Sequence, residues 1–112
     1  MTYQTLTSQA DVEILITGSA PVWLFKHSNA CPVSFAALDQ FEAHLATHPL
    51  AAGVVVIQEQ RPLSNWLAVR LGFVHQSPQL FLMVGGKVAW QASHWGITDA
   101  AMQKAVGEKA PH

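Results

Sequence analysis

Apolar residues in the first half of the chain change their spacing near residue 32, where a strand gives way to a helix. Residues 21–26 form a short, largely apolar run, which is consistent with a strand buried on both faces. From Pro32 onward, apolar side chains recur every three or four residues, which is the spacing of one helix face. These positions are Leu38, Phe41 and Leu45. Pro49 ends the predicted helix, because proline cannot join the helical hydrogen-bond ladder.

The second half of the chain predicts a strand, a helix, a hairpin and a final helix. Within residues 53–57, a glycine is followed by four β-branched, uncharged residues, which is typical of a central strand. Residues 62–72 begin with proline and end with glycine, as helices often do. Two apolar runs, 80–84 and 87–92, flank a Gly-Gly pair that suits a hairpin turn. Thr98 is a good N-cap for the last helix.

The order of these elements predicts the fold class. A further helix over residues 8–16, with Ser8 as its N-cap, completes the order helix, strand, helix, strand, helix, hairpin, helix. Alternating strands and helices imply parallel pairing, and the hairpin adds antiparallel strands. We therefore expect one α/β domain over residues 1–112 with a thioredoxin-like three-layer fold. It would have a mixed sheet of about four strands with helices on both faces.

Composition and charge exclude several function classes. Only 12% of the residues are charged, the formal net charge is −1, and the six Lys and Arg residues are scattered. Nucleic-acid binding depends on clustered positive charge, so no nucleic-acid partner is expected. The longest apolar run, residues 50–57, is too short to cross a bilayer, and residues 1–11 lack the pattern of a secretory signal. We expect a cytoplasmic protein with no membrane association.

The chain has one cysteine, Cys31, between the first predicted strand and the first long helix. Pro32 suits the first helical position, and Ser28 and Asn29 are candidate capping residues. A sulfur at a helix N-terminus lies among unpaired N–H groups, which favour the thiolate, the nucleophile of thiol-disulfide exchange. The alternative is a small buried hydrophobe. The polar segment 26–30, interpreted as a loop, argues for the reactive role.

Ser34 lies three residues after Cys31, where dithiol oxidoreductases have a second cysteine. Its hydroxyl could hydrogen-bond the sulfur, or equally a backbone group of the first helical turn. Since serine cannot resolve a mixed disulfide, a catalytic Cys31 would need an external thiol for release.

Four segments resemble the YtxJ-like monothiol bacilliredoxins, and they span most of the chain. They are residues 25–34, 61–65, 75–79 and 90–98. The resemblance implies a thioredoxin-like fold and an oxidoreductase that takes bacillithiol from mixed disulfides on other proteins. Cys31 matches the nucleophile of the family and Pro32 the residue that follows it. Bacillithiol-modified proteins would be the partners and bacillithiol the co-substrate, with no bound cofactor or metal.

Other residues of these segments receive more limited predictions. Ser77-Pro78 matches the cis-proline position of thioredoxin-like folds, where the Ser77 backbone would pair with an extended substrate. Lys26 and His27 are assigned to substrate binding, His27 also as a candidate for tuning the thiolate. Ordinary surface charge is the simpler interpretation of Lys26. Trp95 is expected to pack in the core. The remaining candidates, expected to be structural or surface groups, are Arg61, His75, Trp90 and His94.

Two other functions remain open from the sequence. One is a metal or iron–sulfur module like the monothiol glutaredoxins, with His27 or an external thiol completing the coordination. The chain offers one sulfur ligand, whereas an iron–sulfur cluster normally takes four cysteine ligands. The other is a non-catalytic thioredoxin-like interaction domain.

Overall fold

A five-stranded mixed sheet lies between two layers of helices in the computed structural model, which describes residues 3–110. The four terminal residues of the predicted 1–112 domain lie outside this range. The elements are β1 (Gln4–Thr5), α1 (Gln9–Ile16), β2 (Val22–His27), α2 (Pro32–Thr47), β3 (Ala52–Val56), α3 (Arg61–Leu71), β4 (Gln79–Val84), β5 (Lys87–Ser93), a 3₁₀ turn (His94–Gly96) and α4 (Asp99–Lys109). Within the described residues, no helix combines the length and apolar character needed to span a membrane.

The strands are arranged in the order β1-β3-β2-β4-β5. β1, β3 and β2 are parallel, whereas β4 is antiparallel to β2 and β5 is antiparallel to β4. This confirms the predicted mixed sheet and adds one strand to the expected four. The additional strand, β1, has only two residues, which is too short to produce a recognisable alternation of apolar and polar positions.

Alternate residues of the central strand β2 supply two separate cores. Trp23 and Phe25 pack on the face covered by α2 and α4. Val22 and Leu24 pack on the opposite face, which α1 and α3 cover. A strand covered on both faces is apolar without interruption, and this explains the run that predicted it.

The ends of the elements follow the predicted capping and turn chemistry. Ser8 Oγ accepts a hydrogen bond from the Asp11 backbone N–H at 3.0 Å, and Thr98 Oγ1 accepts one from Ala101 at 3.0 Å. The Gly-Gly pair between β4 and β5 has φ values of 60° and 78°. Both residues therefore occupy the left-handed region that a tight hairpin turn requires.

The predicted polar loop over residues 26–30 is wrong in its first part. β2 extends to His27, and both Lys26 and His27 are buried, at 1% and 5% exposure. Ser28 is buried as well. Because helices cover both faces of β2 up to its carboxyl end, polar side chains there are enclosed like the apolar ones before them. The interpretation of Lys26 as ordinary surface charge is therefore also wrong.

Candidate active site

Cys31 is the N-cap residue of α2, directly after the carboxyl end of β2. Its backbone is extended, with φ −123° and ψ 119°, and Pro32 occupies the first turn as predicted. The Cys31 carbonyl accepts hydrogen bonds from the backbone N–H groups of Ser34 and Phe35, at 3.0 and 3.2 Å. The thiol is free and half-buried. The helix start therefore holds an accessible sulfur close to its positive dipole end.

Ser34 connects α2 to the end of β2. It is fully buried, and its Oγ lies 2.7 Å from Nδ1 of His27 and accepts the Ser28 backbone N–H at 2.9 Å. Among the described residues, it has no hydrogen bond to the Cys31 sulfur. The predicted contact with the sulfur is thus absent, and the backbone bond goes to the preceding loop instead of the first helical turn. Ser34 positions the segment that carries Cys31.

His27 lies behind Cys31 as a buried ring between aromatic neighbours. It stacks on Phe25 with ring centroids 5.9 Å apart and meets Phe35 edge-to-face at 5.1 Å. Burial lowers the pKa of His27, and the charge of Glu42 and the bond at Ser34 oppose this shift. The ring is therefore neutral near pH 7, and its bond to Ser34 ties the start of α2 to the end of β2.

Gln58, which follows β3, holds two of the three residues before Cys31. Gln58 Nε2 donates to Ser28 Oγ at 2.7 Å, and Gln58 Oε1 accepts the Asn29 backbone N–H at 3.1 Å. The Ser28 hydroxyl also accepts the Ala30 N–H at 3.3 Å. The role of Gln58 could not be predicted from the sequence, because nothing in the residues around it indicates a hydrogen bond to a loop 30 positions away.

Ser77 and Pro78 are joined by a cis peptide bond, as the family resemblance implied. The next residue, Gln79, pairs with Lys26 in the antiparallel ladder between β2 and β4. This register places the cis-proline beside the carboxyl end of β2, where His27 and Cys31 follow. The Pro78 carbonyl accepts the His94 backbone N–H at 3.1 Å, so the turn after β5 is tied to the same edge.

Lys26 is on the opposite face of β2 from His27. Burial lowers the pKa of its ammonium group to about 8. No ion pair or hydrogen bond of this group is found among the described residues. Burial, followed by the charges of Lys26 and Arg61, lowers the pKa of His75, whose Nδ1 lies 3.4 Å from Ser64 Oγ. The positive charges of Lys26 and Arg61 therefore both act on the His75 imidazole.

Two aromatic side chains are exposed along α2 and the 3₁₀ turn. Phe35 is 47% exposed and Trp95 is 73% exposed, so the prediction that Trp95 packs in the core is wrong. Trp90 does pack, edge-to-face against Trp23 at 6.0 Å. His94 precedes Trp95 with φ 52°, a strained value for a residue other than glycine. Between the turn and α2 lies a groove of about 260 Å³.

The sequence-predicted residues thus fall into two groups. Cys31, Pro32, Ser34 and His27 come together at the junction of β2 and α2, with the cis-proline directly before the neighbouring strand β4. Lys26 lies on the other face of the sheet. One cysteine at a helix start, in a sheet of this order, is the arrangement of a thioredoxin-like fold with a single thiol available for exchange.

Comparisons with solved structures agree with this class. A protein described as a proposed oxidoreductase with a thioredoxin fold is 31% identical, with 93% of each chain covered and a TM-score of 0.88. The thioredoxin of Malassezia sympodialis is 13% identical, covering 97% of this chain and 91% of its own, with a TM-score of 0.78. The thioredoxin of Fasciola hepatica is 15% identical, covering 95% and 98%, also with a TM-score of 0.78. The two thioredoxins show the fold alone.

The family follows from a match over most of the chain. The family model described as monothiol bacilliredoxin BrxC matches residues 4–102, so the chain belongs to the monothiol bacilliredoxin family. Family and fold together support a thiol oxidoreductase.

Proposed function

We propose that this protein removes bacillithiol from mixed disulfides on other proteins, with Cys31 as the nucleophile. The family match supports bacillithiol as the thiol, and the observation that carries the exchange step is the site itself. Cys31 is free and accessible at a helix start, the chain has no second cysteine, and the position three residues on holds a serine. Since Ser34 is buried and already bonded to His27 and Ser28, only an external thiol can complete a cycle.

The reaction is an exchange of one disulfide for another. The Cys31 thiolate attacks the bacillithiol sulfur of the mixed disulfide, and the substrate protein leaves as a thiolate that takes up a proton. Cys31 is then joined to bacillithiol by a disulfide. A second bacillithiol thiolate attacks the bacillithiol sulfur of this disulfide, which releases bacillithiol disulfide and restores Cys31. In the net reaction the substrate sulfur is reduced from a disulfide to a thiol, and the second bacillithiol is oxidised from a thiol to a disulfide.

Several residues would assist this exchange by position and charge. The bond between Ser34 and His27 holds the helix start against β2, so that the sulfur is presented at a fixed place. The Ser77 backbone, next to the cis-proline, would pair with the extended substrate. Lys26 is buried, so we assign it a long-range attraction for the carboxylates of bacillithiol instead of direct contact.

The thiol preference is tested by mass spectrometry of the intact protein. The reduced chain is mixed separately with bacillithiol disulfide and with glutathione disulfide. We expect a rapid single adduct from bacillithiol disulfide, reversible by a thiol, and a slower one from glutathione disulfide. Cys31→Ser, checked for folding by circular dichroism, should form none. Equal rates with both disulfides would refute the bacillithiol preference, and no adduct from either would refute the exchange.

A further inference from the structure

A second cluster of chemically active side chains lies at the other end of α2 from Cys31. His44, His48 and Asp99 each offer one ligand atom, and these atoms lie within 4.8 Å of one another. Cys31 caps the start of α2, and His44 is in its last turn, 13 residues further on. At 1.5 Å per residue the two ends are roughly 20 Å apart, so the cluster is separate from the thiol site.

The two histidines share one side of the helix end. They are four residues apart, at the spacing that brings helical side chains together on one face. Their rings are parallel within 10°, with centroids 4.9 Å apart. Thr47 Oγ1 lies 2.8 Å from His48 Nδ1, which leaves Nε2 of His48 as the nitrogen available to a ligand. A partner on the second nitrogen of an imidazole is a usual feature of metal-binding histidines.

Asp99 lies at the start of α4, where one glutamine bonds its backbone and another bonds its carboxylate. The Asp99 backbone N–H donates to Gln40 Oε1 at 2.9 Å, and Gln103 Nε2 donates to Asp99 Oδ1 at 3.2 Å. The same Oδ1 lies 2.8 Å from Nδ1 of His44. The carboxylate is therefore oriented toward the imidazole before any ion arrives.

His44 is the buried member of the cluster. Only 1% of this residue is exposed, and its Nε2 is a buried polar atom with no hydrogen-bond partner within residues 3–110. A buried polar group without a partner destabilises the folded chain. The contact with Asp99 uses Nδ1 only, so the packing around His44 holds the imidazole in place although its second nitrogen has no partner in this range.

The cluster is open to solvent on one side. A cavity of about 390 Å³ is lined by His44 and His48, together with Leu50 and Gln103. His48 itself is exposed. An ion can therefore enter from solvent, and water can fill the coordination positions that the three side chains leave open.

We propose that His44, His48 and Asp99 bind a divalent first-row transition-metal ion, with zinc as the ion to test. Two imidazoles and one carboxylate suit this class of ion, and water completes the tetrahedron. With bonds of 2.0–2.1 Å, a tetrahedral zinc ion holds its ligand atoms about 3.3 Å apart. The widest separation, up to 4.8 Å, must therefore shorten by up to about 1.5 Å, and the 2.8 Å between His44 Nδ1 and Asp99 Oδ1 must lengthen by about 0.5 Å. The exposed His48 makes this movement. His44 coordinates through Nδ1, the nitrogen that already lies beside Asp99 Oδ1, while Nε2 keeps its proton on the buried side of the ring.

The site is tested by titrating zinc into the native chain and into Cys31→Ser, which removes the thiol as a competing ligand. Isothermal titration calorimetry should show one zinc ion per chain, with a micromolar Kd, in both proteins. In the Cys31→Ser background, His48→Gln and Asp99→Asn should each weaken binding by at least about tenfold, since even partners of metal ligands are worth 10–100-fold. Cobalt should give a visible spectrum without the sulfur charge-transfer band.

The control is His94→Asn, which removes an exposed imidazole elsewhere and keeps a side chain that tolerates positive φ. It should leave zinc binding unchanged. Absence of zinc binding to Cys31→Ser, or equal weakening in His48→Gln and His94→Asn, would overturn the proposal. If Asp99→Asn fails to fold, the exposed His48 still decides the outcome.

Discussion

Lys26 and His27 are neighbours at the end of one buried strand, yet they face opposite sides of the sheet and differ in whether the buried polar group has a partner. His27 faces α2 and finds a partner in Ser34 at 2.7 Å, with aromatic rings on both sides. Lys26 faces the other core, and its ammonium group has no partner within the described residues. A buried polar side chain with a hydrogen-bond partner, such as His27, anchors the active-site helix. A buried charged side chain without a partner, such as Lys26, lowers the free energy of unfolding.

The largest expected effect is on Lys26. A pKa lowered from 10.5 to about 8 corresponds to about 3 kcal/mol of penalty on the charged form. Lys26→Met keeps the length of the stem and removes the charge. We expect it to raise the free energy of urea unfolding at pH 7 by up to about 3 kcal/mol. It should also slow uptake of bacillithiol. A variant less stable than the native chain would contradict the penalty.

The pH dependence of unfolding sharpens this prediction. Below pH 8 Lys26 is charged in both the folded and the unfolded chain, and the full penalty applies. Between about pH 8 and 10.5 the unfolded chain binds the extra proton, so the native free energy of unfolding rises with pH. The advantage of Lys26→Met should therefore shrink over this range. Parallel curves for the two proteins would exclude Lys26 as the source of the penalty.

The next effect in size tests the anchor on the opposite face. Ser34→Ala removes the acceptor of the Ser28 N–H and the partner of His27, both buried. We expect a loss of about 1–3 kcal/mol in unfolding free energy, measured by urea denaturation. Thr47→Ala, at an exposed hydroxyl in the same helix, is the matched control and should change little. A loss in Ser34→Ala no larger than in the control would show that Ser34 is no anchor.

The smallest expected effect is the loss of unfolding free energy at acid pH. Because burial lowers the folded pKa of His27, the unfolded chain binds the proton more readily below about pH 6.5. The native chain should lose stability as the pH falls through this value. His27→Phe keeps an aromatic ring and should lose less over the same range. An unchanged slope in this variant would contradict a buried, neutral His27.

Much of the fold could be predicted from local pattern, because caps, turns and periodicity act over a few residues. Ser8 and Thr98 cap their helices as expected, and the Gly-Gly hairpin forms. The burial of Lys26 could not be predicted in the same way. A charged residue at the end of an apolar run has the composition of a loop, and only the helices packed above the strand show otherwise.

The candidate site was predicted in part for the same reason. Cys31 and Pro32 are adjacent in sequence, so their place at a helix start could be inferred locally. The partners that hold them are distant or unmarked. Gln58 reaches the loop from 30 positions away, and Asp99 meets His44 across 55 positions. Only the packing of the sheet and helices brings such pairs together, which is why no metal set was expected from the sequence.

The most direct test of the proposed function follows bacillithiol from one protein to another. A substrate protein carrying one bacillithiol mixed disulfide is mixed with the reduced chain, and both intact masses are followed over time. We predict that the substrate loses the mass of one bacillithiol while the chain gains it, and that Cys31→Ser gains none. Loss from the substrate at the same rate with Cys31→Ser, or no adduct on the native chain, would contradict transfer to Cys31.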